Sequence, residues 1–439
     1  MDLNKPPNPK RNGSSPPKHI NWFPYYAGYN SQFVHDVLDS LKVKPQHTVL
    51  DPWNGSGTTT TAAYRLGAQV VGLDINPVMV VAAKSALVEP GIGPSLVPLC
   101  TEILQAATSS PISRDSDPLS TWFAPNSARA IRKLHTAIWK VLVDTDSAPS
   151  LSSKSVASLS TLASFYLTAL MRTTRHFIAP FVGSNPTWVK NPKRAANRLR
   201  TPVERIHKQF ATEVQEMANT LAMAFQSGLE YPAPLATPQL QIGSSLSLPL
   251  KARSVNAVLS SPPYLTRIDY AVATKPELAA LGMSLGGDFQ QLRRDMTGAP
   301  TVRTDFKHSE SFGRSCNRFL SAVKGHASKG SHNYYYKLFI QYFADMEASL
   351  SEIARVLRKN AKCVLVVQDS YYKELHADLA KFITEIAASK GLKLFDQHNF
   401  RWDRNMARIN TRSRAYRDSI SAVESVLWFA KECQLNLPR

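Results

Sequence analysis

Cysteine is scarce in this chain, acid is outnumbered by base, and long apolar runs are missing. Four cysteines stand among 439 residues: Cys100, Cys316, Cys363 and Cys433. No two form a C-x-x-C pair, so neither a disulfide framework nor a zinc site is expected, and no metal is assigned. No stretch of about 18 apolar residues offers a membrane-spanning helix. The opening MDLNKPPNPKRNGSSPPKH has no apolar core, so it does not read as a secretory leader. A soluble, cytoplasmic protein with no membrane partner is the expectation. Asp plus Glu number 33 against 52 Lys plus Arg, a net charge of +19. An excess of that size favours a polyanionic partner, because each neutralised phosphate releases counterions.

Hydrophobic residues make up 43% of the chain, enough for a large core. Residues 1–20 are polar, basic and Pro-rich and read as a disordered arm. NSQFVHDVLDSLK at 30–42 has helical spacing. HTVLDPWNGSG reads as a buried strand entering a Gly-rich turn, TTTTAAYRLG as a helix, AQVVGLDIN as a second strand and NPVMVVAAKSALV as a second helix. That alternation indicates a parallel α/β sheet. Residues 90–238 break it and read as a mostly helical insertion with its own small core. The α/β pattern resumes at 239 and closes on LKLFDQHNFRW and ESVLWFAKE, two strands. Between them, residues 265–332 read as loop-rich, YYKLFIQYFADMEASLSEIARVLRKN as one long helix, AKCVLVVQDS as a strand and LHADLAKFITEIAASKG as a helix.

Two motifs carry chemistry. The first is Asp51-Pro52-Trp53-Asn54-Gly55-Ser56-Gly57, where a strand meets a helix. Its glycines let backbone approach a ligand closely. Asp74 ends the next strand, about twenty residues on, the offset at which a carboxylate holds ribose hydroxyls. A P-loop needs a Lys after the last Gly, and Thr58 stands there instead. Thr58, Thr59 and Thr60 also replace the third glycine of a dinucleotide fold. A ligand without phosphates, such as S-adenosylmethionine, fits this pattern.

The second motif is Ser260-Ser261-Pro262-Pro263-Tyr264, at the end of the strand VNAVL. Strand C-termini are where open α/β sheets bind ligands. Two prolines lock the backbone and remove two N–H donors, leaving a rigid rim of acceptors. An exocyclic amino group is a poor nucleophile because its lone pair is delocalised into the ring. Acceptors gripping its hydrogens favour a pyramidal nitrogen and free the lone pair for attack on a sulfonium methyl group. Tyr264 offers a stacking face for an extruded base.

These motifs resemble those of the amino-methylating DNA methyltransferases. DPWNGSGTT is similar to their cofactor motif and SSPPY to their catalytic motif, in the Ser form associated with N4-cytosine enzymes. FPYYAGYNSQFV at 23–34 resembles the segment that packs on the methionine end of the cofactor, and GSSLSLPL at 243–250 stands where an acidic residue often lies near adenine. The resemblance implies a Rossmann-like α/β fold with a mostly parallel seven-stranded sheet, formed by residues 21–89 and 239–439. It implies S-adenosylmethionine as cofactor, held by Phe23, Tyr25, Asp51, Pro52, Asn54, Gly55, Gly57, Thr58, Asp74 and Ile75. Ser261, Pro262, Pro263 and Tyr264 would hold the target amino group. Residues 90–238 become the candidate target-recognition region. Duplex DNA with a flipped base is the implied substrate, and a cognate endonuclease or defence-system subunit the implied partner.

Lys190, Lys193, Arg194, Arg198, Arg200 and Arg267 are the candidate DNA contacts. Arg267, Asp269 and Tyr270 follow the catalytic motif and are expected near the target base. Tyr334, Tyr335 and Tyr336 are expected to begin the long helix. Arg401, Arg404, Arg408, Arg412, Arg414 and Arg417 are expected in one backbone-tracking loop. Carbon-5 methylation of cytosine needs a thiolate in a Pro-Cys turn, and no cysteine here follows a proline. N6-adenine methylation, RNA base methylation and a catalytically silent nucleic-acid-binding subunit remain as alternatives. A protein-glutamine methyltransferase shares Pro-Pro-Tyr but usually carries Asn before it, and the net charge would then serve no purpose.

Overall fold

The apolar runs flanking the two motifs fold as the strands of one sheet. A computed structural model describes residues 6–10, 22–23, 28–109, 117–145, 151–183, 188–226, 236–265, 268–303, 306–402 and 422–432. The strands are β1 Thr48–Asp51, β2 Gln69–Asp74, β3 Gln239–Ile242, β4 Val255–Ser260 and β5 Leu357–Gln368. A small hairpin follows, β6 Ser370–Tyr372 and β7 Leu375–Ala377, and then β8 Leu392–Trp402 and β9 Ala422–Lys431. Among the described residues seven of them form one sheet in the order β3-β2-β1-β4-β5-β9-β8. β1, β2, β3, β4 and β5 pair in parallel, and β9 runs antiparallel to both β5 and β8. This is the expected Rossmann-like, mostly parallel architecture.

The central strands are near-continuous apolar runs because both faces are covered. Leu50, Val71, Val258 and Leu365 point to one side, into a core shared with the helices Arg314–Gly325, Tyr336–Val356 and Leu379–Ser389. Val49, Val70, Leu259 and Val364 point to the other, against Ser31–Ser40 and Thr58–Arg65.

The insertion is helical as expected, with helices Gly93–Ser109, Pro125–Val143, Ser153–Ser158, Thr161–Ile178 and Val203–Gln226. Its core is not its own. One cluster joins insertion residues such as Ile131, Phe165 and Phe210 to Val78 and Val81 of the helix Pro77–Ser85 and to Leu278 and Phe289. Lys84 reinforces the join by donating to the carbonyls of Val156, Ala157 and Leu159 at 2.8–3.1 Å.

Other expectations are corrected. Residues 6–10 of the supposedly disordered arm are packed: Pro6 and Pro9 are buried, the Pro9 carbonyl accepts from Asn30 N–H at 2.6 Å, and Lys10 bridges to Tyr29. Residues 1–5 and 11–20 lie outside the described residues. The region 265–332 holds the helices Tyr270–Ala273, Lys275–Ala280, Gly287–Asp295 and Arg314–Gly325, the first two too short to show a helical period. A turn of π-helix, Ser331–Tyr335, precedes the long helix, which ends at Val356. Arg358 and Lys359 therefore belong to β5, and Leu375–Ala377 to β7 rather than to the helix after it. Arg401 lies in β8, and the rest of the arginine-rich loop lies outside the described residues. No helix among the described residues is long and apolar enough to cross a membrane.

Candidate active site

Strand order reverses between β1 and β4, and a crevice opens there at the strand C-termini. Its empty space, including the part open to solvent, is about 940 Å³. Four turns line it: Asp51–Ser56 after β1, Asp74–Asn76 after β2, Gly243–Ser245 after β3 and Ser261–Tyr264 after β4. Tyr29 and the segment Tyr270, Asp295, Met296 and Thr297 complete the walls.

The Gly-rich turn is held by its own polar groups. Gly55 N–H donates to Asp74 Oδ2 at 2.9 Å and Asn76 N–H to Asp74 Oδ1 at 2.8 Å. Asn54 Oδ1 accepts from the Thr60 hydroxyl at 2.9 Å. Asn54 N–H donates to the Leu73 carbonyl, which presses the turn onto β2. Gly72 makes that approach possible, because a Cβ there would lie 2.6 Å from the Asn54 side chain. Gly57 caps the helix Thr58–Arg65 at φ 84°, a conformation that glycine adopts without strain.

Asp51 is the centre of a buried network. Its carboxylate accepts from the Ser260 hydroxyl, from Trp53 N–H at 3.2 Å and from the Tyr29 hydroxyl at 3.4 Å. Tyr29 also bonds the Thr59 hydroxyl, which in turn donates to the Leu259 carbonyl at 3.2 Å. Burial pushes the Asp51 carboxyl up to about 6 against the pull of these donors. Burial likewise pushes Asp74 up to about 7, with the Asp51 charge adding to it.

The catalytic-motif turn is as rigid as its prolines suggest. The Ser261 hydroxyl donates to the Val366 carbonyl of β5 at 3.1 Å, which leaves its oxygen lone pairs as acceptors. The Pro263 carbonyl is already engaged by the Tyr342 hydroxyl at 2.8 Å. Tyr264 and Tyr270 both line the cleft. Asp269 is buried and serves structure, capping the helix Tyr270–Ala273 and pairing with Arg293 at 2.6 Å.

The expected site residues therefore divide. Asp51, Pro52, Asn54, Gly55, Thr58, Asp74 and Ile75 line the cleft together with Ser261, Pro262, Pro263 and Tyr264. Phe23 does not; it is buried in the insertion's core, and Tyr29 and Gly28 of the same segment face the cleft instead. Gly57 does not line it either. A Cβ on Gly57 would meet Ala83 at 2.8 Å, so its part is close packing on the next helix. Tyr25 and Arg267 lie outside the described residues. Lys190, Lys193, Arg194, Arg198 and Arg200 lie outside the cleft, on an irregular segment with one 3-10 turn, Ala195–Asn197. Sequence reasoning missed Tyr29, Thr59 and Ser260. The doubled serine of SSPPY was the available signal for the last.

The charge of the cleft opposes that of the chain. Among the described residues no Lys, Arg or His lines it, whereas Asp51, Asp74 and Asp295 do. Such walls repel phosphate and suit a cation. Trp53 Nε1 and Ser56 Oγ, both on the wall, are buried without a hydrogen-bond partner among the described residues. Buried polar groups of this kind ask for a ligand or water.

Residues 6–85 match the family described as DNA methylase, of the N6 and N4 type. The chain is similar to the Type II methyltransferase M.BsoBI of Geobacillus stearothermophilus, with 24% identity over 380 residues, 81% of this chain and 69% of that protein.

Proposed function

We propose that this chain, a member of the amino-group (N4-cytosine and N6-adenine) DNA methyltransferase family, transfers a methyl group from S-adenosylmethionine to the exocyclic N4 of cytosine in DNA. The observation that carries the reading is one cleft with two unlike halves. One half is acidic, with no cation among the described residues; the other is the acceptor rim at Ser261–Tyr264.

The residues present fit the cofactor. Asp74 would take its ribose hydroxyls and Asp51 its ammonium group, and the orphaned Ser56 hydroxyl and Trp53 N–H are further donors on the same wall. S-adenosylmethionine, when bound, supplies a methyl group made electrophilic by its sulfonium.

The chain's own residues prepare the nucleophile. Ser261 Oγ, its proton given to the Val366 carbonyl, accepts an N–H of the target amino group. The Ser261 and Pro262 carbonyls lie on the same turn, while Pro263 is withdrawn from the task by Tyr342. Gripping the amino hydrogens localises the nitrogen lone pair toward the methyl donor. Tyr264 and Tyr270 flank the space for the base. Serine in the first position is what favours cytosine over adenine here. The cations Lys190, Lys193, Arg194, Arg198 and Arg200, and Arg267, which follows the Ser-Pro-Pro-Tyr motif in sequence, are the proposed backbone contacts. A Type II restriction–modification pair, with a cognate endonuclease, is the proposed setting, after the relative M.BsoBI.

Incubation with methyl-labelled S-adenosylmethionine and either DNA or RNA tests the reading. Label in DNA supports it. Label in RNA alone, or tight cofactor binding with no transfer to either, moves the assignment to an RNA enzyme or a silent subunit.

A further inference from the structure

The geometry points to a base-stacking surface outside the cleft: Trp188 stacks on an unpaired DNA base while the cations that follow it hold the flanking phosphates. This rests on DNA as the substrate and adds a second point of base contact.

The segment from Trp188 to Thr201 carries Lys190, Lys193, Arg194, Arg198 and Arg200 and no acid. Among the described residues none of the five makes an ion pair. All but Arg198 are exposed, and Arg198 is half-buried. Cations without protein partners are the complement of a polyanion.

The segment is nevertheless built rather than loose. Val182 bridges antiparallel to Val189, which is buried, and Lys190 N–H donates to the Phe181 carbonyl at 2.9 Å. The Lys190 carbonyl accepts from Trp122 Nε1 at 3.0 Å. Leu199 exchanges backbone bonds with Trp122 and Ala124 at 2.8 Å, and Thr201 N–H donates to the Ser127 hydroxyl at 2.8 Å. Its backbone is thus fixed at both ends, and the side chains that remain outward are cationic.

Trp188 departs from that pattern. Its side chain is 51% exposed, although an indole gains more from burial than almost any other group. An exposed aromatic among unpaired cations is the arrangement that binds nucleobases by stacking and phosphates by charge.

The surface is also joined to the cleft. Trp122, which holds Lys190, lies under the Lys275 ammonium at 5.6 Å. The neighbouring Thr274 hydroxyl accepts from Asn76 Nδ2 at 2.8 Å, and Asn76 lines the cleft. Three rigid contacts therefore connect the base-stacking surface to the wall where the cofactor half begins.

The test measures binding of the full chain to a fluorescent single-stranded oligonucleotide and to the same sequence as a fully paired duplex. Trp188→Ala should weaken single-strand binding about tenfold, the scale of losing one base–aromatic stack, and duplex binding by less than twofold. Trp188→Phe should restore most of the loss. The double variant Lys193→Gln, Arg194→Gln should instead weaken both forms and reduce the salt slope. Equal binding by Trp188→Ala and the parent chain, or an equal loss on both forms, overturns the stacking role. Methyl transfer to DNA by the parent chain in the same preparation separates the two claims. If it occurs and Trp188→Ala binds normally, only this inference falls; if it fails, the substrate reading falls with it.

Discussion

Ser260 donates its hydroxyl hydrogen to the carboxylate of Asp51, across 209 positions of sequence. The bond fastens the end of β4, which carries the proposed catalytic turn, to the end of β1, which carries the proposed cofactor turn. Both groups are buried, so the bond has no competition from water. It makes the two motifs one structural unit.

Ser260→Ala should therefore act on the cofactor half although the residue belongs to the catalytic motif. Removing a donor to a buried carboxylate costs about 1–3 kcal/mol. It also lifts the Asp51 carboxyl further above about 6. Titration calorimetry with S-adenosylmethionine at pH 7 should show about tenfold weaker binding, partly recovered at pH 8.5. An unchanged affinity at both pH values would remove Ser260 from the account.

The pH response follows from Asp51 at about 6 and Asp74 at about 7. Both are raised above the unfolded carboxylate value. Their neutral forms favour the folded state, and that contribution is lost as pH rises through 6 and 7. A bound cation needs the ionised forms. Thermal stability of the free protein due to these groups should thus fall between pH 5 and pH 8, while the rise in Tm on adding S-adenosylmethionine grows over the same interval. A ligand-induced shift that shrinks with pH would contradict the assignment of these carboxylates.

Ser261→Ala should separate binding from chemistry. Its hydroxyl contacts Val366 and the target side of the cleft, not the network around Asp51. Turnover should fall on the order of a hundredfold, as when one preorganised hydrogen-bonding group is lost from an active site. The Kd for S-adenosylmethionine should change less than threefold. Full activity in the variant would make the proposed grip on the amino group wrong.

Arg175 ties the insertion to the helices Tyr270–Ala273 and Lys275–Ala280. Its guanidinium bonds both oxygens of Glu277 at 2.5 Å and the Ala273 carbonyl at 2.7 Å, and the Glu277 side chain is wholly buried. Arg175→Ala leaves that carboxylate buried and unpaired, at a cost of about 3 kcal/mol. Chemical denaturation should show it, and Glu277→Gln in the same background should return part of the loss. A variant as stable as the parent would mean that the insertion docks by apolar packing alone.

Much of this was legible in the sequence. Buried strands announce themselves as continuous apolar runs, and the Gly-rich turn and the acid at the next strand end do line one cleft. The segment FPYYAGYN was not legible in detail. It has no period to say which aromatic faces the ligand, and the fold turns Phe23 into the core and Tyr29 toward Asp51. Gly57 looked like a ligand contact, but its freedom is spent on approach to Ala83. The insertion's shared core was hidden for a different reason. Helical spacing shows that a face is apolar, not which distant helix covers it, and here the partners Val78 and Leu278 flank the insertion on both sides in sequence.

The most direct test is to incubate the full chain with duplex DNA and methyl-labelled S-adenosylmethionine, digest to nucleosides and identify the product by mass. The account predicts N4-methylcytosine. N6-methyladenine would keep the cleft and its chemistry but contradict the role given to Ser261 in choosing the base.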